Sequence, residues 1–233
     1  MNLLNENRRC EDGILTFAHG NILAEETVPS AGQLHADRPF FRPLEGPLIA
    51  PPFDAGSVCS WFTVPAGHCS TGVANSGMVL CVAAALGGVW TLPCATLEDG
   101  RPVAGVMNFA PAVSFHGGLV TRIAAHLMAH AVGFAHSHMA SRSMVRNVAG
   151  VRGRALWVVV DSTNAAMAAR ERHDCDDIVG VELQDGDGDG RTLESHRWRR
   201  HARDEWMAPI GGVGYYTELT PAALAALSCM RAK

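Results

Sequence analysis

The chain has 233 residues, with 19 Lys+Arg against 23 Asp+Glu and a formal net charge of −4. Hydrophobic residues make up 48% and charged residues 18%, enough apolar material for one large domain or two packed lobes and too much for a disordered chain. The basic residues are arginines apart from Lys233 and are scattered, so no basic tract offers a nucleic-acid surface.

Along the chain, the first helical pattern, Ile22–Arg38, is interrupted by Pro29, which reads as a break. A connector follows in which Pro43, Pro47, Pro51 and Pro52 forbid a regular helix. Residues 57–115 carry four strand-like runs: Val58–Val64, Met78–Ala84, Val89–Leu97 and Pro102–Ala110. Between Ala55 and Leu97 there is no Asp, Glu, Lys or Arg, and Met78–Leu92 imitates a short membrane span. Gly87-Gly88 divide that stretch and Pro93 follows it, so two buried strands joined by a tight turn are expected, and no transmembrane helix. Asp99-Gly100 marks a hairpin.

Gly117 and Gly118 open the strongest helix, Leu119–Val132, which Gly133 closes. A strand (Ala155–Asp161) and a helix (Asn164–His173) follow in a less regular region. Thr220 and Pro221 start a terminal helix by their N-cap and N1 preferences. The run DGDGDG, Asp185–Gly190, suggests a calcium loop, but the twelfth position is His196 rather than Glu and no helices flank it. It reads as an acidic surface loop.

Seven cysteines contain no CxxC pair, which argues against a zinc knuckle or a thioredoxin-type motif. Cys59, Cys69, Cys81 and Cys94 are spaced as in a disulfide-bearing secreted domain, while the polar start MNLLNENRRCEDG lacks an apolar signal core. A fragment or truncated gene product reconciles the two.

Four of the 11 histidines, His126, His130, His136 and His138, crowd one short stretch. His126 and His130 stand four apart on the strongest helix, so both imidazoles share a face and can reach one ion. In isolation an HxxxH pair is more often incidental; the glycine after it and the strands before it favour a metal site.

The segment LVTRIAAHLMAHAVGF (Leu119–Phe134) resembles the active-site helix of the leishmanolysin family, zinc metalloproteases of the metzincin group. SHRWRRHARDEWMAP (Ser195–Pro209), followed by GYYTELT, resembles the family's third-histidine segment and Met-turn. Weaker matches run through EDGILT, QLHADR, LEDGRPVAGVMNFAPA, VRGRALWVVVDST and CDDIVGVELQD. The resemblance implies an α/β (α+β) zincin-like fold: residues 1–135 as an N-terminal lobe with a mixed twisted sheet and the active-site helix, and 136–233 as a smaller lobe with the Met-turn. It implies one zinc ion on His126, His130 and His196, with Gly133 and Met207 as structural support. His136, at the HxxxHxxGxxH spacing of other metzincins, is the alternative third ligand. Using both His136 and His196 would close the coordination sphere. His138 is expected at the surface, and Tyr215 and Tyr216 in buried structural roles. The family's bridge pattern pairs Cys59 with Cys94; Cys10 and Cys175 match family cysteines, and Cys69, Cys81 and Cys229 do not.

The chain departs from the family's HExxH at its second position, where Leu127 replaces the general-base glutamate. Loss of such a base costs on the order of 10²–10⁴ in rate. Glu205 and Asp204 are not spare bases, since family members carry an acidic residue beside the Met-turn as well. The expected function is a strongly impaired zinc metalloendopeptidase acting on peptides or proteins, at the cell surface or secreted. The rivals are a non-catalytic pseudoprotease serving adhesion or binding, and a decayed gene fragment.

Overall fold

The computed structural model describes residues 20–36, 44–110, 117–149, 157–184, 196–197, 205–209, 215 and 217–227. The loop at Asp185–Gly190, Cys10, Cys229 and Tyr216 lie outside them. The chain divides into two compact units, Met1–Val132 and Gly133–Lys233.

In the first unit Pro29 does not end the helix. Residues Ile22–Thr27 form π-helical turns that run directly into α1 (Val28–Ala36). Proline cannot donate to the ladder, and its ring crowds the carbonyl of the preceding turn; the wider π spacing just upstream absorbs both effects. The described residues of the proline-rich connector, from Leu44 on, form no helix or strand, but Leu48 and Val73 exchange backbone hydrogen bonds and the Ala50 N–H donates to the His68 carbonyl. The run Val58–Val64 is not a strand: Val58–Trp61 is a 3₁₀ turn. A short helix, α2 (Ala66–Ser70), follows.

β1 (Val79–Ala84), β2 (Trp90–Thr96) and β3 (Pro102–Phe109) form one mixed sheet in the order β1-β3-β2. β3 runs parallel to β1 in the register Val79↔Ala104 to Ala84↔Phe109, and antiparallel to β2 from Trp90↔Asn108. Here the expected pair of buried strands needs correction. β1 and β2 flank β3 instead of pairing, both are only part-buried, and β3 alone is buried along its full length. The Gly87-Gly88 connection spans the end of β3, where the Asn108 amide donates to the Ala85 and Gly88 carbonyls (3.0 and 2.7 Å) and accepts from the Ala85 N–H. Its edge position lets β2 tolerate Pro93, and the register shifts there. The β2–β3 hairpin turns on Asp99-Gly100 as expected: Gly100 has φ +76°, its N–H donates to the Leu97 carbonyl, and the Asp99 carboxylate accepts from the Arg101 N–H. A disulfide joins Cys59 to Cys94 with a Cα–Cα distance of 5.9 Å.

Two elements pack on the sheet. A cluster of Leu48, Ala50, Val79 and Val103 packs it against the connector, and α3 (Gly118–Ala131) lies against β2 and β3. Gly105 makes that approach possible, because a Cβ there would sit 2.9 Å from the Leu92 carbonyl oxygen and 3.4 Å from the Ala131 methyl. α3 and the helical turn beyond it, Gly118–Ser141, are long and apolar enough to cross a membrane by length and composition alone, with 56% of the most apolar window buried inside the protein as in a core helix.

The second unit contains α4 (His136–Ser141), β4 (Val145–Val148), β5 (Trp157–Val160), α5 (Thr163–His173), β6 (Val181–Glu182) and α6 (Leu219–Ala225). The strands form an antiparallel sheet in the order β4-β5-β6. α5 buries an alanine face, Ala165, Ala166, Ala168 and Ala169, which packs with Val181 and Leu219. α6 begins one residue before Thr220, so that hydroxyl does not cap it; Thr217 Oγ1 accepts the Leu219 N–H instead.

Candidate metal centre

The two-histidine helix is set by glycines at both ends. Gly117 (φ +94°) turns the chain into α3, and Gly133 (φ +116°) turns it out. Between them the alanine-rich sequence buries Val120, Ala124, Ala125, His126, Leu127, Ala129 and Ala131. A Cβ on Gly133 would come within 2.7 Å of His138 Cδ2, 3.0 Å of its Nε2 and 3.1 Å of Leu227 Cδ1. His138 is therefore not the surface residue expected: its ring is half-buried against Gly133, and burial, with the Arg142 charge, lowers its pKa.

The Nε2 atoms of His126 and His130 lie 3.0 Å apart, with their rings nearly perpendicular at 84°. Two imidazoles sharing a tetrahedral zinc at about 2.0–2.1 Å would hold their nitrogens roughly 3.3 Å apart. The pair thus fits a zinc ion to within a few tenths of an ångström. Behind it, His35 from α1 donates from Nε2 to the Ala125 carbonyl at 2.8 Å, one residue before His126. Burial pushes the His35 pKa down, opposed by that hydrogen bond.

Leu127, expected to stand in place of the base, is 4% exposed, an apolar side chain in the packed interior. His136 is half-buried at the first position of α4. Among the described residues, His126, His130 and His196 each offer an imidazole nitrogen and are buried, half-buried and buried respectively.

His196 lies in the second unit, next to the bridge residue Arg197. Its carbonyl accepts the Gln184 N–H (2.8 Å), and the next N–H, of Arg197, donates to the Met207 carbonyl (2.8 Å). Met207 is fully buried, in a turn whose Ala208 N–H donates back to Glu205. Glu205 is occupied at both oxygens: Oε2 accepts the Met207 N–H (2.8 Å), and Oε1 accepts the hydroxyls of Thr220 and Thr217. Complete burial lowers the Arg197 pKa, and the Glu205 charge opposes that effect. Tyr215, expected to be buried, is 60% exposed; its carbonyl, not its ring, does structural work by accepting the Trp206 N–H. His35, Arg197, Thr217 and Thr220 were not legible as site-supporting residues in the sequence. QLHADR held a clue to the first, a histidine on an otherwise helical apolar face.

A mixed sheet backed by a helix with paired histidines, a glycine turning the chain beyond them, and a buried methionine turn are the parts of a metzincin-type metallopeptidase. The leishmanolysin family model matches residues 3–233. The chain is 38% identical over 218 residues to a leishmanolysin of Leishmania major, covering 91% of this chain and 36% of that protein. It is 37% identical over 218 residues to that of Leishmania tropica, covering 91% and 33% respectively. A leishmanolysin homolog of Crithidia fasciculata is 35% identical over 229 residues, covering 95% and 34%. The chain belongs to the leishmanolysin family of metallopeptidases, and its α/β architecture agrees with that membership. It spans about a third of the length of the curated relatives it matches.

Proposed function

We propose that the chain is a leishmanolysin-like zinc metalloendopeptidase whose hydrolysis is strongly impaired, with one zinc held by His126, His130 and His196. The observation that carries this reading is the 3.0 Å approach of the two Nε2 atoms on α3, a spacing suited to a shared cation. The place of His196 rests on its sequence distance from Met207 and on its own burial. His136 remains the alternative.

Zinc, when bound, polarises the scissile carbonyl and acidifies the attacking water. The chain's residues must do the rest. α3 fixes the two imidazoles one turn apart and the buried His35 steadies the carbonyl before them. At position 127 a carboxylate would accept the water's proton and pass it to the leaving amine; leucine can hold no proton. Glu205 cannot stand in, because both of its oxygens are engaged. The missing proton transfer costs on the order of 10²–10⁴ in rate, roughly 3–5 kcal/mol of barrier.

The substrates would be peptides or proteins, at a cell surface or in a secretion; the Cys59–Cys94 bridge suits such an oxidising location. The buried, non-titrating Leu127 favours one second reading, a pseudoprotease that binds peptide without cutting it. Cleavage of a quenched fluorescent peptide separates them. An impaired peptidase shows slow, chelator-sensitive turnover that Leu127→Glu raises by about two to four orders of magnitude. No turnover in either protein, with peptide still bound, leaves the pseudoprotease.

A further inference from the structure

We propose that Arg197 and Glu205 are positioning residues, a buried ion pair that fixes His196 and the Met207 turn in one geometry before any metal arrives. The inference rests on the reading of His196 as the third ligand.

His196 and Arg197 are the described residues of their segment. It bridges Leu183 on one side through the antiparallel Leu183↔Arg197 contact, and Met207 on the other. Arg197 follows His196 directly, so anchoring the guanidinium constrains the backbone that carries the imidazole. Arg197 is fully buried. Its Nη2 donates to the Leu219 carbonyl at 2.6 Å, and its Nε stands 3.4 Å from Glu205 Oε2. Its guanidinium carbon lies 5.3 Å from the centroid of the Phe134 ring, one residue beyond Gly133. The same Glu205 carboxylate takes the Met207 N–H and the Thr217 and Thr220 hydroxyls. One ion pair thus ties together the histidine segment, the methionine turn and the start of α6.

Stability alone does not account for this arrangement. Desolvating two charges cancels most of their attraction, and apolar side chains of similar volume commonly pack as well or better. A buried pair whose members also reach the Leu219 carbonyl, the Met207 N–H and two hydroxyls instead excludes alternative placements of the neighbouring histidine, as outer partners do for metal ligands generally.

The test compares wild type, Arg197→Met, Glu205→Leu and the double variant. Thermal melts, zinc competition with a chelating dye, and carbethoxylation of His196 in the metal-free chain, followed by peptide mass mapping, supply the readouts. Each single variant should melt lower, because one charge is left buried and unpaired. The double variant should melt above the worse single variant but below wild type, because the Met207 N–H and the Thr217 and Thr220 hydroxyls lose their acceptor and the Leu219 carbonyl its donor; it should bind zinc about tenfold or more weakly and modify His196 several-fold faster. Wild-type zinc affinity and wild-type His196 protection in the double variant overturn the inference. Wild type that binds no zinc refutes the ligand reading instead, and the carbethoxylation rates then decide the clamp alone. Should the double variant not fold, Glu205→Gln keeps the shape and one acceptor; it should weaken zinc binding about threefold, and unchanged binding and reactivity overturn the clamp.

Discussion

Gly133→Ala probes the turn that takes the chain out of the two-histidine helix, and its cost divides into two separable parts. The backbone there has φ +116°, a region that L side chains rarely adopt, and holding alanine in it costs about 1–3 kcal/mol. The new methyl would also meet His138 Cδ2 at 2.7 Å and Leu227 Cδ1 at 3.1 Å, overpacking worth a further ~1–3 kcal/mol. Together these predict about 2–6 kcal/mol, or a drop in melting temperature on the order of 5–20 °C for a chain of this size. Adding His138→Ala removes the nearer clash but not the backbone strain. Measured against His138→Ala alone, Gly133→Ala should therefore cost less than it does in wild type, by about 1–3 kcal/mol in a urea-melt cycle. A Gly133→Ala chain within about 0.5 kcal/mol of wild type would refute the strain argument, and a cycle with no coupling would refute the clash.

Removing the bridge by Cys59→Ala with Cys94→Ala releases a constraint across a sequence separation of 35. The chain-entropy relation gives roughly 4 kcal/mol, and guanidinium melts should show that loss under oxidising conditions and none beside reduced wild type. His35 titrates below its ordinary 6.5 because it is buried, so the unfolded chain takes up its proton first. Its share of stability is whole above about pH 6.5 and falls as the pH drops toward the folded-state pKa. Urea melts from pH 8 to 5 in chelator should therefore slope less in His35→Gln, which offers a non-titrating amide donor to Ala125. Equal slopes would place the His35 proton elsewhere.

Local chemistry made α3 and the β2–β3 hairpin readable. Gly117, Gly133 and Asp99-Gly100 dictate positive φ or tight turns at those very positions, and the alanine-rich run between the glycines admits little but helix. The order β1-β3-β2 was not readable, because insertion of β3 between two sequence neighbours is a long-range choice sealed by the Asn108 side chain. The β-forming residues of Val58–Trp61 disguised a 3₁₀ turn held by the distant Cys94. Thr220 read as a cap from its neighbours, but its hydroxyl goes to Glu205, 15 residues away. Pairing of His126 with His130 followed from helical spacing alone. The assignment of His196 came only through resemblance, since nothing in its local sequence marks a lone histidine as a ligand.

The most direct test of the zinc reading is metal analysis of the purified full chain beside His196→Ala and His136→Ala. Wild type and His136→Ala should each carry one zinc per chain, and His196→Ala should lose it. A wild-type chain without zinc, or zinc lost with His136 and kept without His196, would contradict the account.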